Sequence, residues 1–132
     1  MKLPRFDKAR VLTLGDAMLD RYWHGNTARI SAEAPVPVVD ITEREDRLGG
    51  AANVALNVAA LGASSTLVAV LGLDESAEIL KAKLDSAGIV DATLGREDYQ
   101  TVTKLRIVSH GQQMVRADFE HIVDLEAAPM MP

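Results

Sequence analysis

Cysteine is absent from all 132 residues, which excludes disulfides and thiolate metal sites and leaves no secreted disulfide framework. Aromatic residues amount to only 4%, so a core must be built from Leu, Val, Ile and Ala. No apolar run approaches the roughly 20 residues of a membrane-spanning helix. The charged start, Met1 to Lys8, is not followed by the apolar stretch of a signal peptide. Excess positive charge is also missing. A net charge of −5 weighs against a nucleic-acid surface, whose affinity comes chiefly from Lys and Arg. Neither the Gly-Lys-Ser/Thr of a phosphate loop nor the spaced triple glycine of a dinucleotide-binding turn occurs. His24, His110 and His121 have no metal-ligand spacing, so no metal site is expected in this chain. These absences lead to the expectation of a cytoplasmic domain without nucleic-acid or membrane partners.

What is present suits one modest α/β domain, since 48% of the residues are hydrophobic. Val11-Leu12-Thr13-Leu14 is a short apolar run ending at Gly15, the pattern of a strand buried on both faces. Val54, Ala55, Val58 and Leu61 recur at helical spacing, and Gly62 is a natural stop. Thr66 to Leu71 reads as a second buried strand. Asp74 caps a helix running to about Ala87, with Ile79, Leu80 and Leu84 inward and Gly88 at its end. Strand alternating with helix is the pattern of a parallel sheet with covering helices.

Two segments depart from that rhythm. Tyr22 to Gly25 and Val36 to Ile41 have strand character, but Pro35 and Pro37 cannot donate ladder hydrogen bonds, which places that strand on an edge or in a small separate sheet. Thr101–Ser109 and Gln112–Phe119 flank His110-Gly111, the signature of a hairpin with a two-residue turn. Alternation puts Thr103, Leu105 and Ile107 on one face and Lys104, Arg106 and Arg116 on the other. The end, Ala127 to Pro132, has no periodicity and is expected to fray.

Three sets of residues could carry chemistry. Asp16 and Asp20 follow the first strand, where open α/β sheets bind ligands, and their carboxylates can accept from sugar hydroxyls. The plainer alternatives are turn chemistry for Asp16 and a solvated carboxylate for Asp20, and metal binding by the pair is disfavoured because no third ligand lies near them in sequence. Gly49-Gly50 opens a helix whose first turn holds Asn53, so bare backbone N–H groups and a positive helix end favour anions and hydroxyls; an ordinary loop is the alternative. Lys104, Arg106 and Arg116 could hold a phosphate, with Arg offering a bidentate fork, or could form a solvated strand face neutralised by Asp118 and Glu120. The Tyr22-Trp23 pair reads as packing or an interface anchor.

Gly49-Gly50-Ala51-Ala52-Asn53-Val54-Ala55, continued by Gly62 and Gly72, resembles the first signature of the ribokinase-like carbohydrate kinases. Gly15 to Trp23, Arg29 to Val39, and Thr103 to Glu120 extend the likeness. Within that family they resemble the kinase domain that phosphorylates D-glycero-β-D-manno-heptose 7-phosphate at its anomeric hydroxyl, towards ADP-heptose and the lipopolysaccharide core. In many Gram-negative bacteria that domain precedes an adenylyltransferase.

The resemblance implies a ribokinase-like open sheet with covering helices, and a small β-lid over residues 21–47 that often pairs with another subunit's lid in a homodimer. It implies sugar binding by Asp16, Asp20, Gly49, Gly50 and Asn53, use of ATP with Mg²⁺, and heptose 7-phosphate as partner. Lys104, Arg106 and Arg116 are then the candidates for its phosphate. The family's catalytic aspartate stands in a Gly-Ala-Gly-Asp motif, which does not occur here. Residues 1–132 therefore resemble the N-terminal portion of the kinase domain, without its C-terminal half, and no catalytic residue is expected in them. The rival expectations are a non-catalytic module that binds sugar phosphate or self-associates through its lid, and a related kinase for another phosphorylated sugar.

Overall fold

Two patterns of hydrophobicity, alternating and helical, sort this chain into two main sheets of different character, with a short two-stranded one beside them. The computed structural model describes residues 4–120; the C-terminal tail and His121 lie outside them. The elements run β1 (Arg10–Leu14), β2 (Ala17–Ile30), β3 (Pro37–Gly50), α1 (Ala51–Ala60), β4 (Ser64–Val68), β5 (Val70–Gly72), α2 (Glu75–Ser86), β6 (Val90–Asp91), β7 (Leu94–Arg96), β8 (Val102–Ser109) and β9 (Gln112–Phe119).

The first sheet has the order β1-β4-β6 and is parallel, as the strand–helix alternation requires. β5 and β7 form a short parallel pair beyond it. The expected strand over Thr66–Leu71 is thus two strands that break at Ala69 and take different partners. Both helices pack against the sheet. Ala52 and Ala55 of α1, and Ala77, Leu80 and Leu84 of α2, form one cluster with Leu67, Ala69, Leu71 and Ile89. Alanine lets α1 approach closely enough for the Ser65 hydroxyl to donate to the Ala55 carbonyl at 2.8 Å. The inward stripe of α1 therefore runs through Ala52 and Ala55, while Val54 and Leu61, expected inside, are exposed.

A further departure concerns β1. Leu12 and Leu14 are exposed, at 64% and 74%. They pair in register with Thr66 and Val68, and Thr66 pairs with Val90, so these residues share the sheet face opposite the helices. Among the described residues nothing covers that face, and even on the other face Val11 is 38% exposed and Thr13 only partly buried, so no residue of β1 is buried.

The second sheet, in the order β3-β2-β8-β9, is the larger. β2 and β3 form a long antiparallel hairpin from Ala17↔Gly50 to Ile30↔Pro37, and β3 lies on the edge, where its proline costs no ladder bond. The strands reach past residues 21–47 at both ends. β8 and β9 join as expected through His110 (φ 51°) and Gly111 (φ 74°). The hairpin does not stand alone, because β8 runs parallel to β2 from Met18↔Val102 to Gly25↔Ser109.

Asp74 links the sheets. One carboxylate oxygen caps α2 by accepting from the Ala77 amide at 2.9 Å; the other accepts from the Thr101 amide, also at 2.9 Å, just before β8. Asp74→Ala is expected to lower stability by about 1–3 kcal/mol, the sum of a lost cap and a second lost backbone hydrogen bond. Chemical denaturation checks this, and an unchanged midpoint would refute it.

Candidate functional site

The site begins where β1 ends. Asp16 follows Gly15 at the carboxyl end of β1, and its side chain is exposed. Its main-chain carbonyl accepts from the Ala51 amide at 2.8 Å, tying the strand end to the start of α1. Gly50 is the residue before that helix, at φ 56° and ψ −133°, and supplies no side-chain cap. A Cβ on Gly50 would stand 2.4 Å from the Asp16 carbonyl oxygen, and one on Gly49 would stand 2.5 Å from an Asp20 carboxylate oxygen. Glycine is needed at Gly50, where a Cβ would meet main chain at positive φ, and at Gly49 the Asp20 carboxylate lies against bare main chain. The first turn of α1 contains no acidic residue, so its positive end stays open to an anion or hydroxyl.

Residues in register share a face of a sheet. Asp20 pairs with Lys104 on β8 and Arg47 on β3; Tyr22 pairs with Arg106 on β8 and Glu45 on β3. Lys104 in turn faces Asp118, and Arg106 faces Arg116, on β9. One face thus collects Asp20, Tyr22, Arg47, Lys104, Arg106, Arg116 and Asp118. Arg106 Nη1 donates to Asp20 Oδ1 at 2.9 Å, with the two side chains only 19% and 21% exposed. The guanidinium groups of Arg47 and Arg106 lie 4.5 and 5.1 Å from the centre of the Tyr22 ring. Arg47 is also forked onto Glu45 at 2.7 and 2.8 Å, and that hydrogen bonding holds the Glu45 carboxyl below its ordinary value. Arg116 is bound to Asp118 at 2.9 and 3.1 Å.

The opposite face of the same sheet is mostly apolar, with Trp23, Leu105, Ile107, Val115 and Phe119. Its charged members include Arg44, 5.1 Å from the Trp23 ring centre, and Arg21, forked onto Asp46 at 2.8 and 3.2 Å, a hydrogen bond that raises the arginine against the lowering effect of burial. A cavity of about 230 Å³ lies between this face and the start of α2, away from Asp20.

The structure therefore brings Asp20, Gly49, Gly50, Lys104 and Arg106 together, with Asp16 at the adjoining strand end. Arg116 is on the same face but is 47% exposed and held by Asp118. Asn53 is exposed on α1 and lines a different groove of about 300 Å³ with Arg47, Leu48, Leu56 and Lys83. Tyr22 and Arg47 were missed by sequence reasoning. The signal was available, since Asp20, Tyr22 and His24 alternate with Leu19, Arg21 and Trp23 along β2. Near Asp16 the Tyr99 phenol is pushed above its ordinary value, chiefly by burial and then by the charges of Asp16 and Glu120. Carboxylate acceptors, bare backbone and guanidinium groups on one surface can bind a hydroxyl-rich anion. No cluster of three or more metal-ligating side chains occurs among the described residues, and none of their helices is long and apolar enough to cross a membrane.

Residues 8–131 match the family model of the pfkB family carbohydrate kinases. The bifunctional protein HldE of Pseudomonas aeruginosa (strain LESB58) is 57% identical over 131 residues, covering 98% of this chain and 28% of that protein. HldE of Hahella chejuensis (strain KCTC 2396) is 54% identical over 120 residues, covering 91% of this chain and 25% of the relative. Among solved structures, a carbohydrate kinase from Agrobacterium tumefaciens superposes with a TM-score of 0.68 at 22% identity, over 83% of this chain and 35% of the other. Fructokinase from Xylella fastidiosa with bound ATP gives 0.61 at 23%, over 86% and 33%. The chain spans about a quarter of the length of these curated relatives and about a third of these solved kinases.

Proposed function

Because the chain belongs to the pfkB family of carbohydrate kinases, we propose that it forms the sugar-binding half of an ATP-dependent kinase acting on the anomeric hydroxyl of D-glycero-β-D-manno-heptose 7-phosphate. The observation that carries this reading is the Asp20–Arg106 contact at 2.9 Å beside Gly49. It joins an acceptor for sugar hydroxyls to a donor for phosphate on one surface, as a phosphorylated sugar requires. Asp16 adds a second acceptor and the start of α1 adds backbone donors. The high identity to proteins named bifunctional HldE supports the heptose substrate, a companion adenylyltransferase, and a cytoplasmic place in ADP-heptose and lipopolysaccharide core synthesis.

ATP with Mg²⁺ would supply the phosphoryl group. The Gly-Ala-Gly-Asp motif that carries the family's catalytic aspartate is absent from this sequence, so no contact to ATP or Mg²⁺ is assigned to the described residues. What these residues do is bind and orient the sugar. General-base removal of the hydroxyl proton and stabilisation of the transferring phosphoryl need groups beyond them. Coupled kinase assays on the full-length polypeptide test the assignment: turnover of heptose 7-phosphate is expected, and turnover of fructose phosphates alone would sink it.

The β2–β3 hairpin, centred on residues 21–47, is the proposed lid, and its apolar face the proposed homodimer contact. Trp23, Val36, Val39, Ile41, Ile107, Met114 and Val115 line an open cavity of about 390 Å³ there, and Val36 and Val115 are about half exposed. Val115→Asp is expected to convert the dimer to monomer in sedimentation velocity. A wild-type protein that sediments as a monomer at all concentrations would refute the contact.

A further inference from the structure

Four cations share the face that carries Asp20, and their existing partners separate them. Arg47 spends Nε and Nη2 on Glu45, and Arg116 spends the same two nitrogens on Asp118. In both cases the side-on Nε/Nη2 edge is occupied, and only the end-on edge at Nη1 is left for a phosphate. Lys104, half-buried, has no side-chain partner among the described residues. Arg106 differs from the other arginines. Asp20 takes only Nη1, which also approaches the Lys104 carbonyl at 3.4 Å, so Nε and Nη2 remain to donate.

A single hydrogen bond to Asp20 leaves a guanidinium free to pivot. The second constraint on Arg106 is the Tyr22 ring, 5.1 Å from its guanidinium carbon. Tyr22 is itself steadied by Arg47 at 4.5 Å and by the nearly parallel His24 ring, 13° from it and 6.3 Å away. The attraction of a cation to a π face needs the ring and not the hydroxyl.

Resting on the reading of the ligand as a phosphorylated sugar, we infer that Tyr22 is a positioning residue: it holds Arg106 with one corner on Asp20 and its free edge, beside Lys104, turned to the phosphate. Arg116 lies outside the phosphate site. Tyr22 thereby fixes the anion's contact, Arg106, beside the hydroxyls' contact, Asp20, without itself acting on the hydroxyls.

Calorimetric titration of the full chain with heptose 7-phosphate and with the unphosphorylated heptose tests this. Tyr22→Leu is expected to weaken the phosphorylated sugar about tenfold and leave the other nearly unchanged, because a desolvated cation–π contact is lost at the anion only. Tyr22→Phe should restore binding, and Arg116→Gln should have little effect. Arg106→Lys, which keeps the charge and loses the fork, should reproduce the selective loss without touching position 22. Equal losses for both sugars, a Phe variant no better than Leu, or a loss in Arg116→Gln equal to that in Arg106→Lys would overturn the inference. If the wild type does not distinguish the two sugars, the phosphorylated-substrate reading fails instead. Inorganic phosphate, followed at the Arg106 Nε–H by NMR at constant ionic strength, then decides the geometry. A shift in the wild type that vanishes in Tyr22→Leu upholds it, and no shift in the wild type overturns it.

Discussion

Gly50→Ala is expected to lower the unfolding free energy by about 2–6 kcal/mol, adding the strain of a non-glycine residue in a glycine-only backbone region to the penalty of overpacking. The residue sits at φ 56° and ψ −133°, and its new Cβ would meet the Asp16 carbonyl oxygen at 2.4 Å. That oxygen cannot swing aside, because it accepts from the Ala51 amide and fixes the start of α1. Relief would require moving β1 away from α1, and with it the core cluster around Ala52 and Ala55. Against the 5–15 kcal/mol that typically holds a domain together, such a loss threatens folding itself. Gly62→Ala is the control. It also has positive φ, 89°, but nothing lies within 4 Å of its Cβ position, so only backbone strain of about 1–2 kcal/mol is expected. Urea denaturation of the two variants measures the difference, and equal losses would show that the close approach at Gly50 does not matter.

The second large effect belongs to binding. Asp20→Ala is expected to weaken sugar affinity on the order of a hundredfold, from loss of a charge-assisted acceptor and release of Arg106. The same substitution leaves a largely buried guanidinium without its carboxylate and should cost about 1–3 kcal/mol of stability. Asp20→Asn keeps the shape and one acceptor oxygen against Gly49, so it should recover most of the stability and little of the affinity. Calorimetry with heptose 7-phosphate, beside a denaturation curve, separates the two effects. Unchanged affinity in Asp20→Ala would mean that neither the carboxylate nor its hold on Arg106 contributes to sugar binding. Asp16 should behave differently, because only its backbone carbonyl takes part in the fold.

Local features of the site were legible where a short-range rule applies. Asp74 and Gly88 bracket α2 because capping and positive φ are decided within a few residues. His110-Gly111 marks its hairpin for the same reason. Gly49-Gly50 announces a close approach of main chain, although the partner in that approach, Asp20, lies in another strand. The burial of β1 was misjudged, since an apolar run states what a strand prefers and not what is there to cover it. In the sequence Tyr22 reads as packing or an interface anchor, because Arg47 and Arg106, which flank its ring, are remote along the chain.

Sequence by itself determined the class of the fold and the side of each strand on which a residue stands. The helical and twofold periods are properties of the local backbone, and positive φ demands glycine at Gly50 and Gly62, whereas Gly49 and Gly72 answer to tertiary neighbours. Only the tertiary structure decided which strands are neighbours. β8 could have closed a small hairpin with β9 alone; instead it lies parallel to β2 and sets Arg106 against Asp20 across 86 residues of chain. Strand pairing is a long-range choice governed by total burial and register, and a period of two names the face without naming the partner. Through that pairing a cationic strand face meets the carboxylate of Asp20 on β2, with the Tyr22 ring between Arg47 and Arg106.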